Sequence, residues 1–349
     1  MRAGVVTGKG QFELVEVDDP SPGTGQVVVE VARCGICGSD VHAYQEGWPY
    51  APGICGHEWV GTVVDSGPPP APGPSAHLPS EGDRVVGGQA PGCGSCRECR
   101  ANLPQFCRVA ASEYSGRNAP TSGGFAPYIT LSANRLITVA GSVSDEQAAL
   151  IEPASVAMHA VRRSRLAVGD VACVVGCGPI GLMAVQAARL GGAGQVVAVE
   201  PDASRRELAL SIGADAAVTP GEHLRAVVND LTGGLRADIA YDCAGIPQTL
   251  QQSVDMVRQG GSVCMVGVSG GEATINPMRW MMKEVSVDTS IAFTLDEMAI
   301  CADLVARGRI ETGGFVAGTL DLDALPATID DLANRRIDAV KLLVDPTGG

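Results

Sequence analysis

Between residues 171 and 185 the chain reads VACVVGCGPIGLMAV: an apolar run, a glycine-rich turn, then apolar residues at helical spacing. Gly176, Gly178 and Gly181 form G-x-G-x-x-G, with Pro179 and Ile180 inside it. In a strand–turn–helix context each glycine has a separate task. The first permits a tight turn, the second lets backbone approach a pyrophosphate, and the third packs helix on strand. The helix start then offers free N–H groups and partial positive charge to the phosphates. Glu200 closes the next apolar run, QVVAVE, nineteen residues after Gly181, where a carboxylate is expected to hold ribose hydroxyls. Such a carboxylate accepts from a 2′-OH and repels a 2′-phosphate, so NAD is the expected cofactor. Arg205 and Arg206 leave NADP open, because a guanidinium pairs with phosphate.

A motif of this kind needs a parallel sheet around it, and the surrounding sequence supplies one. VACVV (171–175), QVVAVE (195–200), ADIAYD (237–242) and GSVCMVGV (261–268) are apolar runs suited to strands buried on both faces. IGLMAVQAARLG and ASRRELALSIG lie between them with helical periodicity. The expected fold class is therefore α/β, with a doubly wound parallel sheet. Residues before about 150 have a different texture. QVVVEVARCG, EWVGTVVDSG, DRVVGG and FAPYITL are short strands closely punctuated by Gly and Pro, as in a small β-barrel. The opening MRAGVVTGKGQFELVEV alternates like a strand. SGPPPAPGPSAHLPSEG (66–82) reads as an extended surface loop, with His77 solvated in it. Near the end, LDEMAICADLVARGRI reads as an amphipathic helix and VKLLVD as a last strand.

The length of 349 residues favours more than one domain, since single cores stop growing at roughly 250–300 residues. A net charge of −14 argues against nucleic-acid or anionic-membrane partners. No apolar run approaches the ~18 residues of a membrane helix, and the N-terminus lacks a signal-peptide apolar segment, so the chain is expected in the cytoplasm. A reducing cytosol keeps thiols free, so its 12 cysteines call for another explanation than disulfides. Cys93, Cys96, Cys99 and Cys107 follow C-x2-C-x2-C-x7-C. Four thiolates on one looped segment suit a closed tetrahedral Zn²⁺ site, which is structural; an iron–sulfur cluster is the competing assignment.

A second set of ligand-type residues is scattered. CGICGSDVH offers Cys37, Ser39 and His42, CGHEWVG offers His57 and Glu58, and LIEPASVAMHAV offers Glu152. Three protein ligands and an open position make a catalytic zinc site, but spacing alone does not pair residues this far apart. With CGICGSDVH, GHE, the four-cysteine lobe, GCGPIG and VKLLVD in place, the chain resembles the zinc-dependent medium-chain dehydrogenase/reductase (alcohol dehydrogenase) family along essentially its whole length.

The resemblance implies a GroES-like catalytic domain over 1–150, with a structural zinc lobe at 90–110. A Rossmann domain over 151–290 interrupts it, and 291–349 return to the first domain. Cys37 and His57 become ligands of a catalytic zinc, with Glu58 beside the metal and at times exchanging into its shell. Asp40 becomes the carboxylate that orients His57. Glu152 becomes a further ligand of that zinc, directly or through water, at the position where simple alcohol dehydrogenases have Cys, as in the polyol, threonine and butanediol dehydrogenase branch. Cys93, Cys96, Cys99 and Cys107 hold the second zinc of two per chain. The implied reaction is reversible oxidation of a secondary alcohol by NAD, with zinc as Lewis acid, Ser39 taking the proton and His42 relaying it through the cofactor ribose. Val266 and Val268 line the nicotinamide pocket, and Tyr44, Trp48, Trp280 and Phe293 are candidate walls of the substrate pocket. A small-molecule alcohol or ketone and a homodimer or homotetramer complete the expectation. A zinc-free quinone or enone reductase of the same fold, or a non-enzymatic binding protein, is the alternative.

Overall fold

The structure, a computed structural model, describes residues 1–47, 55–69, 79–88, 92–93, 95–101, 103–109 and 123–348, except the side chains at 222, 223 and 225. Trp48, His77 and most of the proline-rich loop lie outside the described residues. By its internal contacts the chain forms one unit from Met1–Glu152 and Thr294–Gly349, and a second from Pro153–Phe293.

In the first unit the N-terminal run is two strands, not one. β1 (Arg2–Gly8) and β2 (Gln11–Glu16) pair antiparallel across a turn at Gly10, whose φ of 69° is left-handed and suits glycine. The alternation continues through the turn, which is why the hairpin is not visible in the pattern. β3 (Gln26–Gly35), β4 (Glu58–Ser66), β5 (Arg84–Gly87), β6 (Tyr128–Ser132) and β7 (Leu136–Thr138) follow. Alternate β3 residues Val27, Val29 and Val31 meet Trp59, Val63, Val85 and Ile129 in one core. Fully burying each such side chain is worth roughly 1.5–3 kcal/mol.

The second unit holds β8 (Val171–Val175), β9 (Gln195–Val199), β10 (Ala216–Val218), β11 (Ala237–Asp242), β12 (Val257–Met265) and β13 (Ser286–Thr289). All pair in parallel, in the order β10-β9-β8-β11-β12-β13, the doubly wound arrangement that the apolar runs predict. β10 and β13 are additions to the sequence reading: they are short and only partly buried, so neither leaves a long apolar run. β12 starts earlier than the run at 261–268 and stops at Met265. The N–H groups of Val266 and Gly267 both donate to the Asp242 carbonyl at 2.9 Å, turning the chain out of the sheet. Val266 and Val268 therefore follow the strand instead of ending it.

The chain then adds β14 (Val316–Asp321) and β15 (Lys341–Asp345) to the first unit, whose sheet runs β14-β15-β3-β4-β5-β7, with β6 also pairing β3. β15 lies antiparallel to β3, with Leu343 opposite Gly35 and Val344 opposite Cys34. The last strand is thereby laid beside the segment that leads into Cys37.

Candidate functional site

β3 and β4 pair with Gly35 opposite Glu58, so the chain leaving β3 and the chain entering β4 run side by side. Cys37 lies just past the first and His57 just before the second. One donor atom each from Cys37, His57 and Glu58 falls within 4.8 Å of the others. Cys37 also caps the helix Gly38–Glu46, its sulfur accepting the Ser39 N–H at 3.5 Å. Ser39 and His42 stand three apart on that helix, and so share a face.

Asp40 is buried and takes the Cys37 N–H at 3.0 Å and the Gly56 N–H at 3.3 Å, tying the two ligand segments together. Its Oδ1 is 3.9 Å from His57 Nδ1, longer than a hydrogen bond. Asp40 thus reaches His57 by charge, and its hydrogen bonds go to the backbone on either side. Burial disfavours a charged His57. The Cys37 charge, a hydrogen bond to Cys37 and the carboxylates of Asp40 and Glu152 outweigh that, and the imidazole is raised well above its ordinary range. The ring sits in a negative field that a dication would satisfy, and a thiol, an imidazole and a carboxylate form a donor set that Zn²⁺ accepts.

Glu152 is not part of the compact trio. Its backbone is fixed in the first turn of the helix Ile151–Arg163, and its carboxyl feels His57, Glu58, Lys341 and Asp40 as neighbouring charges. Burial pushes it up to about 7, against the pull of His57. Glu152 thus neighbours the trio as a charge without joining the three donor atoms that lie within 4.8 Å of one another.

The residue that sequence reasoning missed is Lys341. It is 3% exposed, and its Nζ pairs with Glu58 and donates to the Ile36 carbonyl at 2.9 Å. Losing one partner of such a buried pair costs about 3–5 kcal/mol. The available signal was a lysine opening a strand whose next three residues are apolar, since a buried charge needs a partner. Gly35 backs the pair: a Cβ there would collide with Glu58 Oε2.

The four-cysteine lobe is a second cluster, its sulfurs also within 4.8 Å of one another. Cys96 and Cys107 Sγ are 3.8 Å apart, and none of the four cysteines is in a disulfide. A disulfide would need ~2.05 Å, whereas a tetrahedron with Zn–S near 2.3 Å has edges of about 3.8 Å. An iron–sulfur cluster places its own irons and sulfides between the cysteines and spreads them further. The Cys107, Cys93 and Cys96 sulfurs accept the N–H groups of Cys93, Cys96 and Cys99 at 3.3, 3.3 and 3.4 Å. The Ser95 hydroxyl and the Ser95 and Cys96 N–H groups lower the Cys93 thiol to about 6, which favours the thiolate that a metal takes.

In the second unit each loop glycine has its own reason. Gly176 has φ 88° and a Cβ there would lie 2.7 Å from Ala244 Cα. At Gly178 nothing stands within 4 Å of a Cβ, leaving the backbone open to a ligand. A Cβ on Gly181 would run into the Gly176 carbonyl. Pro179 starts the helix Pro179–Leu190, followed by Ile180. Glu200, buried, accepts the Cys177 N–H of the loop at 2.7 Å and the Asp202 N–H at 3.0 Å. Arg206 donates to the carbonyls of Glu200 and Pro201 at 2.8 and 2.7 Å, while the Arg205 N–H donates to Asp202, the cap of the helix Ala203–Ser211, at 2.9 Å. An open phosphate cradle beside a carboxylate fits a dinucleotide. Tyr44 donates to Asp330 at 2.6 Å, Trp280 to Gln251 at 3.0 Å, and Phe293 is buried. Each of these three candidate wall residues is engaged in packing.

A doubly wound sheet with this loop, a β-rich unit and two donor clusters define the class of two-domain, metal-containing dinucleotide oxidoreductases. Residues 23–141 match the alcohol dehydrogenase GroES-like domain family and residues 179–307 the zinc-binding dehydrogenase family. A sorbitol dehydrogenase of Halalkalibacterium halodurans is 33% identical over 82% of this chain and 83% of its own length. An L-threonine 3-dehydrogenase of Shewanella woodyi is 33% identical over 75% of this chain and 76% of its own. The solved structure of a zinc-binding dehydrogenase from Sinorhizobium meliloti 1021 bound to NADP is 30% identical and superposes over 99% of both chains with a TM-score of 0.86. The chain belongs to the zinc-binding alcohol dehydrogenase family. No helix among the described residues is long and apolar enough to cross a membrane.

Proposed function

We propose that this protein is a zinc-dependent dehydrogenase that moves a hydride between NAD(P) and a secondary alcohol or ketone, on a polyol, vicinal diol or amino alcohol. The observation that carries the reading is the convergence of Cys37, His57 and Glu58 from separate segments onto one point. It supports the zinc enzyme over a zinc-free reductase or a binding protein, neither of which needs such a trio. Cys37 and His57 hold the catalytic zinc, Glu58 stands beside it, and Cys93, Cys96, Cys99 and Cys107 hold a structural one. When bound, zinc supplies Lewis acidity at the substrate hydroxyl and the nicotinamide accepts the hydride. Ser39 takes the hydroxyl proton, and His42, on the same helical face, passes it toward solvent. Asp40 fixes the two ligand segments while this happens. A homodimer or homotetramer belongs to the same reading.

A panel of alcohols followed by NADH formation tests it. Vicinal diols, polyols or amino alcohols are expected to exceed ethanol in kcat/KM, because Glu152 adds an oxygen-rich flank beside the trio. Ethanol turning over as fast as any diol would remove that role from Glu152, and no turnover with any member would remove the enzyme reading.

Cofactor choice rests on Glu200. Hydrogen bonds to a charged group are worth about 1.5–3 kcal/mol, so Glu200→Ala is expected to lower kcat/KM with NAD by roughly 10–100-fold. Glu200→Gln keeps an acceptor for the Cys177 N–H and removes only the charge, so it should mainly erode discrimination against NADP. A wild-type protein that already prefers NADP would transfer control of the pocket to Arg205.

A further inference from the structure

We propose that Lys341 is a positioning residue that holds Glu58 in reserve, away from the metal of the Cys37–His57 site; this rests on the zinc reading given above. Glu58 lies within 4.8 Å of the Cys37 and His57 donor atoms, near enough to be a ligand. Yet its Oε2 is taken by Lys341 in an ion pair whose side chains are 1% and 2% exposed. The ammonium is itself anchored, by the Ile36 carbonyl at 2.9 Å, one residue before Cys37. From the other side Gly35 leaves room for the carboxylate that any side chain would fill. Lys341 also faces the Cys37 and Glu152 charges, and its ammonium is the cation paired with Glu58.

A buried carboxylate between a fixed ammonium and a metal divides its attraction between the two. With Lys341 present, the ammonium keeps one oxygen and the metal retains an open position for substrate. Without it, Glu58 loses its paired ammonium and turns to the metal, closing that position.

The test follows zinc release to a chelator from the full-length, zinc-loaded protein. Cys37→Ala identifies the release phase of this site by abolishing it. Lys341→Met is expected to slow that phase on the order of tenfold, opposite in sign to the roughly 10–100-fold weakening that loss of an ordinary supporting residue gives. Lys341→Arg, which keeps the cation, should release zinc as wild type does. The double variant Lys341→Met/Glu58→Gln, with no carboxylate left to move, should lose the slow release. Release from Lys341→Met that is unchanged or faster overturns the proposal, as does slow release that persists in the double variant. If Lys341→Met does not fold, Glu58→Gln alone decides: near-wild-type release supports a carboxylate held in reserve, and faster release shows a resident ligand. A wild-type protein with a single zinc, and no phase lost in Cys37→Ala, instead defeats the zinc assignment of the trio.

Discussion

Cys37→Ala is expected to abolish turnover while leaving the fold and one of two zinc ions in place. Removing an outer-shell partner of a metal typically costs about 10–100-fold in affinity or activity, and loss of a ligand atom itself should exceed that. The fold survives because the sulfur's structural task is small. It caps one helix through a 3.5 Å contact, and a lost cap costs roughly 0.5–2 kcal/mol. The Cys37 N–H remains held by Asp40. Elemental analysis should fall from two zinc ions per chain to one, with an unchanged circular dichroism spectrum. Activity retained within tenfold of wild type would move the chemistry to another site. Cys37→Ser, which restores the cap but not a thiolate, should be equally inactive.

Cys99→Ala should do the reverse, costing stability before chemistry. The lobe has almost no apolar core: Cys107 is buried with Cys96 and Cys99 against it, while Leu103 and Phe106 are exposed. Its order therefore depends on the metal, and a structural zinc contributes on the order of 10 kcal/mol to the folding of zinc-finger peptides. With one thiolate gone, the segment from 92 to 109 should open to proteases, the melting temperature should fall, and one zinc should be lost. The Cys37 site should still bind its own. An unchanged melting temperature in a variant that has lost that zinc would show the lobe to be self-supporting.

What could be read in advance follows from how local each feature is. The glycine loop was legible because all of its atoms lie within one strand, one turn and the start of one helix. The four cysteines were legible for the same reason, since their spacing alone brings four sulfurs onto one short loop. The parallel sheet followed from apolar runs long enough to be buried on both faces. β10 and β13 escaped because three or four half-buried residues carry no period, and the N-terminal hairpin escaped because its alternation crosses the turn.

The Cys37–His57–Glu58 trio was legible only as residue types. Cys37 and Glu58 meet because β3 and β4 pair with Gly35 opposite Glu58, a register set by which faces of both strands are buried. Glu152 was legible as a carboxylate of this site, but its neighbourhood with His57, Glu58 and Lys341 exists only in the fold. Lys341 is the clearest case, since it lies 283 residues from Glu58 and reaches it only because β15 returns to the edge of β3. By itself the sequence determined the α/β class, the phosphate loop and the four-thiol cage, each built from short-range geometry. Only the tertiary structure decided which carboxylate joins Cys37 and His57 and which cation pairs with it, because strand pairing across hundreds of residues is set by the burial of whole faces and not by any local pattern.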